Sequence, residues 1–197
     1  MTKQFNVKTN EAVYSGFFQV QRIHLTHDLF SGGQSPTLVR ELLERGHAVA
    51  VLMYDPAQDA VVMVEQFRIG AVHDKKSPWL FELCAGIIEP GEDVVQVAHR
   101  EAQEETSCKI LELETITEYY VTPGGCTERI TLMCAKVDVR QVGDICGVET
   151  EGEDIKVHVV PAADLLADVF QHDSATVIIA LQWLAVHRKR LQAQWAI

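Results

Sequence analysis

Two apolar runs set the texture of the middle of the chain. Residues 47–54 and 60–67 are rich in β-branched and apolar residues, and Asp55-Pro56-Ala57-Gln58-Asp59 separates them. This predicts two strands joined by a turn. Upstream, residues 17–25 mix apolar and polar positions as an exposed strand does, and 37–44 form another short element. Downstream, 72–78 read as a polar loop with Lys75, Lys76 and Pro78, and 79–85 as a further strand. A helix is predicted at about 93–106, with Asp93 as its N-cap and Gln96 three positions on. Strands follow at 109–121 and 130–137. Residues 138–154 form a long acidic loop containing Gly143, Gly147 and Gly152. A loop of that length inside a domain is usually functional or disordered. A strand at 155–160, a short helix opened by Pro161 and an amphipathic helix over 173–192 complete the chain. The run His187-Arg188-Lys189-Arg190 suits the negative end of that last helix's dipole.

Strands on both sides of single helices suggest an α/β sandwich, not a βαβ dinucleotide fold. No Gly-x-Gly-x-x-Gly or Walker pattern follows a strand. The change of texture after Arg45-Gly46 is the one candidate boundary, dividing residues 1–45 from 46–197. At 197 residues and 47% hydrophobic, the chain can bury a sizeable core. Its 28 acids against 17 bases give a formal charge of −11. That balance argues against a nucleic-acid partner and calls for counter-cations at any polyphosphate. The longest apolar run, near 177–186, is interrupted by Gln182 and too short to span a bilayer, so no membrane partner is expected. The five cysteines are odd in number and lack Cys-x-x-Cys spacing. With no signal-peptide core at the N-terminus, they read as reduced thiols in a cytoplasmic protein. His24 and His27 are the nearest to a histidine pair and read as strand surface.

The predicted helix holds the chain's most specific signal. At about 100° per residue, Val94, Val97, Ala98, Ala102 and Cys108 share one side, and Glu101 and Glu105 fall in its middle. Four residues apart, the two carboxylates stack on one face. Arg100 and Glu104 flank them at the same spacing. Two close anions on a core-facing stripe repel each other and lose hydration, at several kcal/mol per buried ion. Protonation, an arginine cage or divalent cations could offset this; the plainer alternative is an acidic helix solvated on its polar side. Oxygen-only ligands with no adjacent thiolate point to Mg²⁺ or Mn²⁺, not zinc.

Gly86, Glu92, Arg100-Glu101-Ala102-Gln103-Glu104-Glu105, Ser107 and Cys108, with their spacings, resemble the Nudix box. Ser107 stands where the family pattern has glycine. A glycine there would end the helix in a left-handed conformation, which another residue adopts at roughly 1–2 kcal/mol. Pro123 follows the box by 15 positions, within Thr122-Pro123-Gly124-Gly125, and resembles the ADP-ribose pyrophosphatase branch. So do Ser15-Gly16-Phe17-Phe18, Glu44-Arg45-Gly46-His47, Glu65-Gln66-Phe67-Arg68, Pro78-Trp79-Leu80, Glu151-Gly152-Glu153-Asp154-Ile155 and Ala180-Leu181-Gln182-Trp183-Leu184.

The resemblance implies a Nudix-type α/β/α sandwich with a mixed sheet and a small N-terminal β segment. It implies Mg²⁺-dependent hydrolysis of ADP-ribose to AMP and ribose 5-phosphate. Nucleotide sugars or NADH are the alternative substrates, and a non-catalytic ADP-ribose sensor the alternative role; an acidic structural domain without metals is a third reading. On that resemblance Glu101, Glu105, Glu153 and the carbonyl of Ala85 would bind metal. Arg100 and Glu104 would support them, and Glu151 would be the base, a role that Glu153 could exchange with it. Arg68 and Arg40 would contact phosphate or the terminal ribose, Phe17 would stack on adenine, and Thr122, Gly124 and Glu128 would hold the ribose end. A homodimer with composite sites, joined through the N-terminal segment, is implied in the same way.

Overall fold

Hydrogen bonding along the first strands builds a small sheet before the core begins. In the computed structural model, which describes residues 2–195, β1 (Phe5–Ser15) pairs antiparallel with β2 (Gln19–His27), and β2 with β3 (Leu38–Glu44). β1 was not expected from the sequence. Its residues are exposed throughout, its apolar positions Phe5, Val7, Ala12, Val13 and Tyr14 follow no single period, and two register irregularities interrupt its ladder with β2. His24 and His27 both lie on β2, but an odd separation puts them on opposite faces. The unit built on this sheet comprises Met1–His47 and also Tyr119–Ile130, a segment beyond the 1–45 boundary read from the sequence. The returning segment is tied to the end of β3. Leu43 N donates to Gly125 O at 2.8 Å and Thr127 Oγ1 to Glu44 Oε2 at 2.6 Å.

The second unit, Ala48–Glu118 with Thr131–Ile197, holds the main core. β4 (His47–Asp55) and β5 (Ala60–Phe67) are antiparallel, and their turn is fixed by Asp55 Oδ1 accepting from Ala57 N and Gln58 N. The expected single strand at 79–85 is two. β6 (Trp79–Glu82) pairs with β5, and β7 (Cys84–Ile88) changes partner to β4 across Leu83. Helix α1 (Val94–Thr106) follows, capped by Asp93 Oδ1, which accepts from Val95 N at 3.0 Å and Gln96 N at 3.1 Å. β8 (Glu112–Tyr120), β9 (Arg129–Lys136), β10 (Ile145–Cys146) and β11 (Ile155–Pro161) complete a sheet ordered β10-β11-β5-β4-β9-β8. The acidic stretch before β11 is not featureless. It contains 3-10 turns at Val139–Gln141 and Glu149–Glu151 as well as β10.

Burial on β4 is continuous from Ala48 to Asp55 because both faces of the sheet are covered. Val49, Val51 and Met53 pack with Val97, Ala98 and Ala102 of α1. Tyr54 faces the other way, and its hydroxyl donates to Asp59, which Arg188 of helix α3 (Ala175–Trp195) also binds. The layers are therefore α1, sheet, α3, with the short α2 (Ala162–Ala167) leading into α3. α3 runs to Trp195, beyond the expected end at 192. The basic run 187–190 consequently does not sit at the helix terminus. Arg188 is spent on Asp59 and Arg190 on Glu114, so lateral ion pairs, not the dipole, account for these two arginines.

Candidate active site

The apolar face of α1 carries its two glutamates into the core as the helical wheel requires. Glu101 is 7% exposed and Glu105 1%. Each is held differently. Arg100 Nη1 lies 2.8 Å from Glu101 Oε1 and 3.0 Å from Glu104 Oε2, with Glu92 3.9 Å from Nη2. Glu105 Oε2 accepts from Ala85 N at 3.0 Å, so β7 grips it through the backbone. Burial raises Glu101 to about 7; Arg100 opposes this, while the charges of Glu104, Glu153 and Glu151 add to the rise. Burial raises Glu105 to about 8, against the Ala85 N–H and the Cys84 thiol, both of which favour its charged form.

Two residues that sequence reading left without a role shape this pocket of charge. Gly86 passes so close to α1 that a Cβ there would stand 1.8 Å from Glu101 Oε1. Cys84 is fully buried beside Glu105, and burial, reinforced by that carboxylate, keeps it a neutral thiol. A thiol at a strand position reads as ordinary packing in the sequence, and only the approach of β7 to α1 reveals its neighbour.

The stretch bearing Glu151 and Glu153 is tied to the end of α1 through Gly143 N, which donates to Thr106 O, and Gly147 N, which donates to Glu104 O. Glu151 closes its 3-10 turn with an exposed side chain. Glu153 is half-buried, and its Oε2 accepts from Val148 N at 3.0 Å. Among the described residues, no three His, Cys, Asp or Glu side chains converge as a preformed metal cage. The Glu101–Glu105 pair nevertheless fits an oxygen-preferring divalent cation. Its donors are carboxylate oxygens, its charge is buried without full compensation, and Gly86 leaves the space beside Glu101 free of a side chain.

A family model of the NUDIX domain matches residues 37–181. The chain belongs to the Nudix family. This Nudix protein is 41% identical over 188 residues to the ADP-ribose pyrophosphatase of Escherichia coli (strain K12), covering 94% of this chain and 90% of that one. It is 43% identical over 190 residues to the ADP-ribose pyrophosphatase of Haemophilus influenzae, covering 94% and 88%. A GDP-mannose pyrophosphatase of Shigella flexneri serotype 5b is 32% identical over 168 residues, covering 84% and 86%. A crystal structure of an ADP compounds hydrolase shares the fold, with a TM-score of 0.67, 20% identity and coverage of 93% of this chain and 96% of that one. The expected α/β Nudix architecture is thus the one observed.

The remaining candidates of this Nudix chain fall in both units. In the second unit Arg68, just beyond β5, directs Nε to Glu82 Oε2 at 2.5 Å, so a phosphate would have to compete with that carboxylate. In the first unit Arg40 is exposed on β3 and donates to Val39 O. Phe17 is 84% exposed, edge-on to Phe18 at 4.9 Å, which removes core packing as its role. Thr122 and Gly124 lie in an exposed turn in which Thr122 O accepts from Gly125 N and Cys126 N. Glu128 is buried and lies 3.4 Å from Arg45.

Proposed function

We propose that this Nudix enzyme hydrolyses the diphosphate of ADP-ribose to AMP and ribose 5-phosphate with Mg²⁺, Mn²⁺ being able to replace it. The observation that carries this reading is the buried Glu101–Glu105 pair at the foot of Gly86. It occurs in a chain that matches ADP-ribose pyrophosphatases along 94% of its length. Glu101 and Glu105 would hold the cations, with the Ala85 carbonyl and a reoriented Glu153 as further ligands. When bound, such cations polarise a diphosphate and lower the pKa of a coordinated water.

The chain's own groups account for the rest. Arg100 fixes Glu101 and Glu104, and Ala85 N–H fixes the rotamer of Glu105. Glu151, exposed on its turn, would accept the proton of the water that attacks phosphorus as the bridging P–O bond breaks. Arg68 would exchange Glu82 for a phosphate oxygen. Phe17 would stack on adenine, and Arg40, Thr122, Gly124 and Glu128 would serve the ribose end.

Incubation of the purified protein with ADP-ribose and Mg²⁺ should release AMP and ribose 5-phosphate in equal amounts. GDP-mannose, other nucleotide sugars and NADH should turn over more slowly. The GDP-mannose pyrophosphatase relatives make that sugar nucleotide the second reading, and its faster turnover would establish it. Tight ADP-ribose binding without AMP release would instead mark a sensor. Glu151→Gln should lower kcat by about 10²–10⁴-fold with little change in KM. If Glu153→Gln does so instead, the two glutamates exchange roles.

A homodimer joined through the first unit is supported by that unit's exposed Phe5, Tyr14, Phe17 and Phe30. Sedimentation equilibrium should give twice the 22.0 kDa chain mass, and a monomer at micromolar concentration would refute it. A cytoplasmic location is the one favoured by five free thiols. Among the described residues, no helix is long and apolar enough to cross a membrane.

A further inference from the structure

We propose that Ser107 and Cys146 are positioning residues for this reaction, together registering the stretch that bears Glu151 and Glu153 against the end of α1. The proposal rests on the reading that this stretch supplies the base. Ser107 holds a left-handed conformation, φ 59 and ψ 12, in which an L side chain is strained and a glycine is not. Its Oγ lies 3.4 Å from Cys146 Sγ, where either group can donate. Ser107 is exposed, and Gly143 backs the contact on one side. A Cβ on Gly143 would meet Cys146 Sγ at 2.6 Å and Ser107 Oγ at 3.1 Å.

The contact joins two backbone hydrogen bonds that bind the stretch to the helix. Gly143 N donates to Thr106 O at 2.9 Å, and Gly147 N to Glu104 O at 3.0 Å. Both satisfy carbonyls that the end of a helix leaves without intrahelical partners. These two use backbone alone and are available whatever residue occupies position 107. The Ser107–Cys146 contact needs a hydroxyl there. Cys146 is well placed to pass its position on. It pairs with Ile155 across β10 and β11, and it precedes Gly147, whose added Cβ would stand 2.8 Å from Glu153 Cβ. Val148 N then donates to Glu153 Oε2. The side chain that strains the end of α1 thus anchors the start of the segment carrying the base.

The test sets stability against turnover. Ser107→Gly removes both the strain and the anchor, so it should raise the melting temperature while lowering kcat for ADP-ribose about two- to fivefold. That is the scale of one neutral hydrogen bond. KM should change less than twofold. Cys146→Ala should lower kcat similarly, and Cys146→Ser, which restores a hydroxyl partner, should recover most of the loss. Ser107→Ala combined with Cys146→Ala should be no slower than the worse single variant, because both remove the same contact. Losses that multiply in the double variant, or kcat falls that merely follow the melting temperature, would overturn the proposal. Glu151→Gln and Glu153→Gln are run alongside. If either collapses turnover while Ser107→Gly and Cys146→Ala keep wild-type kcat, the anchoring is wrong and the base reading stands. If neither glutamine variant affects turnover, the base reading fails and the anchoring role falls with it.

Discussion

Gly86 shows how much one missing side chain can decide. An added Cβ would lie 1.8 Å from Glu101 Oε1, 2.0 Å from its Cδ and 2.4 Å from its Cγ, so Gly86→Ala must displace that carboxylate. A displacement near 1 Å costs about 10² in rate. We expect kcat to fall by about that factor and the melting temperature to fall as well, because the side chain that must move is buried and paired with Arg100. Parallel kinetics and melting curves read both. The same glutamates predict a pH response. Glu101 and Glu105 bind protons more tightly in the fold, at about 7 and about 8, than an unfolded glutamate does at 4.5. The folded state without metal therefore takes up more protons, and the stabilisation is complete below pH 4.5 and lost as pH rises through 7 and 8. The melting temperature of metal-free protein should fall over that window. Mg²⁺ should raise it more at pH 8 than at pH 6, since a cation needs the deprotonated pair. A metal-free melting temperature that climbs from pH 5 to 8 would contradict this. The wheel placed the two carboxylates on the buried face. The sequence contained no sign of Cys84 beside Glu105, because that proximity joins residues 21 positions apart on different elements.

Elements with a strong local signal were legible in advance, and α1 is the clearest. Its apolar spacing, its Asp93 cap and its end near 106 all appear where the pattern put them, since each depends on residues within a few positions. Asp93→Ala removes an acceptor used by both Val95 N and Gln96 N and should cost about 1 kcal/mol in urea unfolding. Elements that depend on distant partners were not legible. β1 is exposed along its whole length and exists through its ladder with β2. The run read as one strand at 79–85 is divided because β6 finds β5 and β7 finds β4, a choice its own residues do not encode. The acidic stretch read as a long loop acquires two 3-10 turns and a short strand because its amides are bound by carbonyls at the end of α1 and its backbone pairs with β11. In α3 the basic run lies inside the helix, which continues past it to Trp195.

At the scale of the whole molecule, α3 is fastened to the sheet by a polar knot. Arg188 Nε donates to Asp59 Oδ1 at 2.7 Å, a second guanidinium contact closes the fork, and Tyr54 Oη donates to the same carboxylate at 2.7 Å. Arg188→Ala would leave Asp59 without its counter-charge in a turn already held at φ 53. We expect a loss of about 2 kcal/mol in denaturant unfolding, the scale of hydrogen bonds to charged groups. Turnover of the remaining folded protein should be unchanged, because the knot lies on the face of the sheet away from α1. The covalent sequence by itself determined the family, the box helix, the paired carboxylates and the main apolar strands, because periodicity and motif spacing are local properties of the chain. Only the tertiary structure decided three things: that Gly86 must lack a side chain, that Arg68 starts from Glu82, and that Ser107 meets Cys146 where the acidic stretch joins α1. Each depends on the distance between elements, and packing of the sheet and helices fixes that distance where residue order cannot.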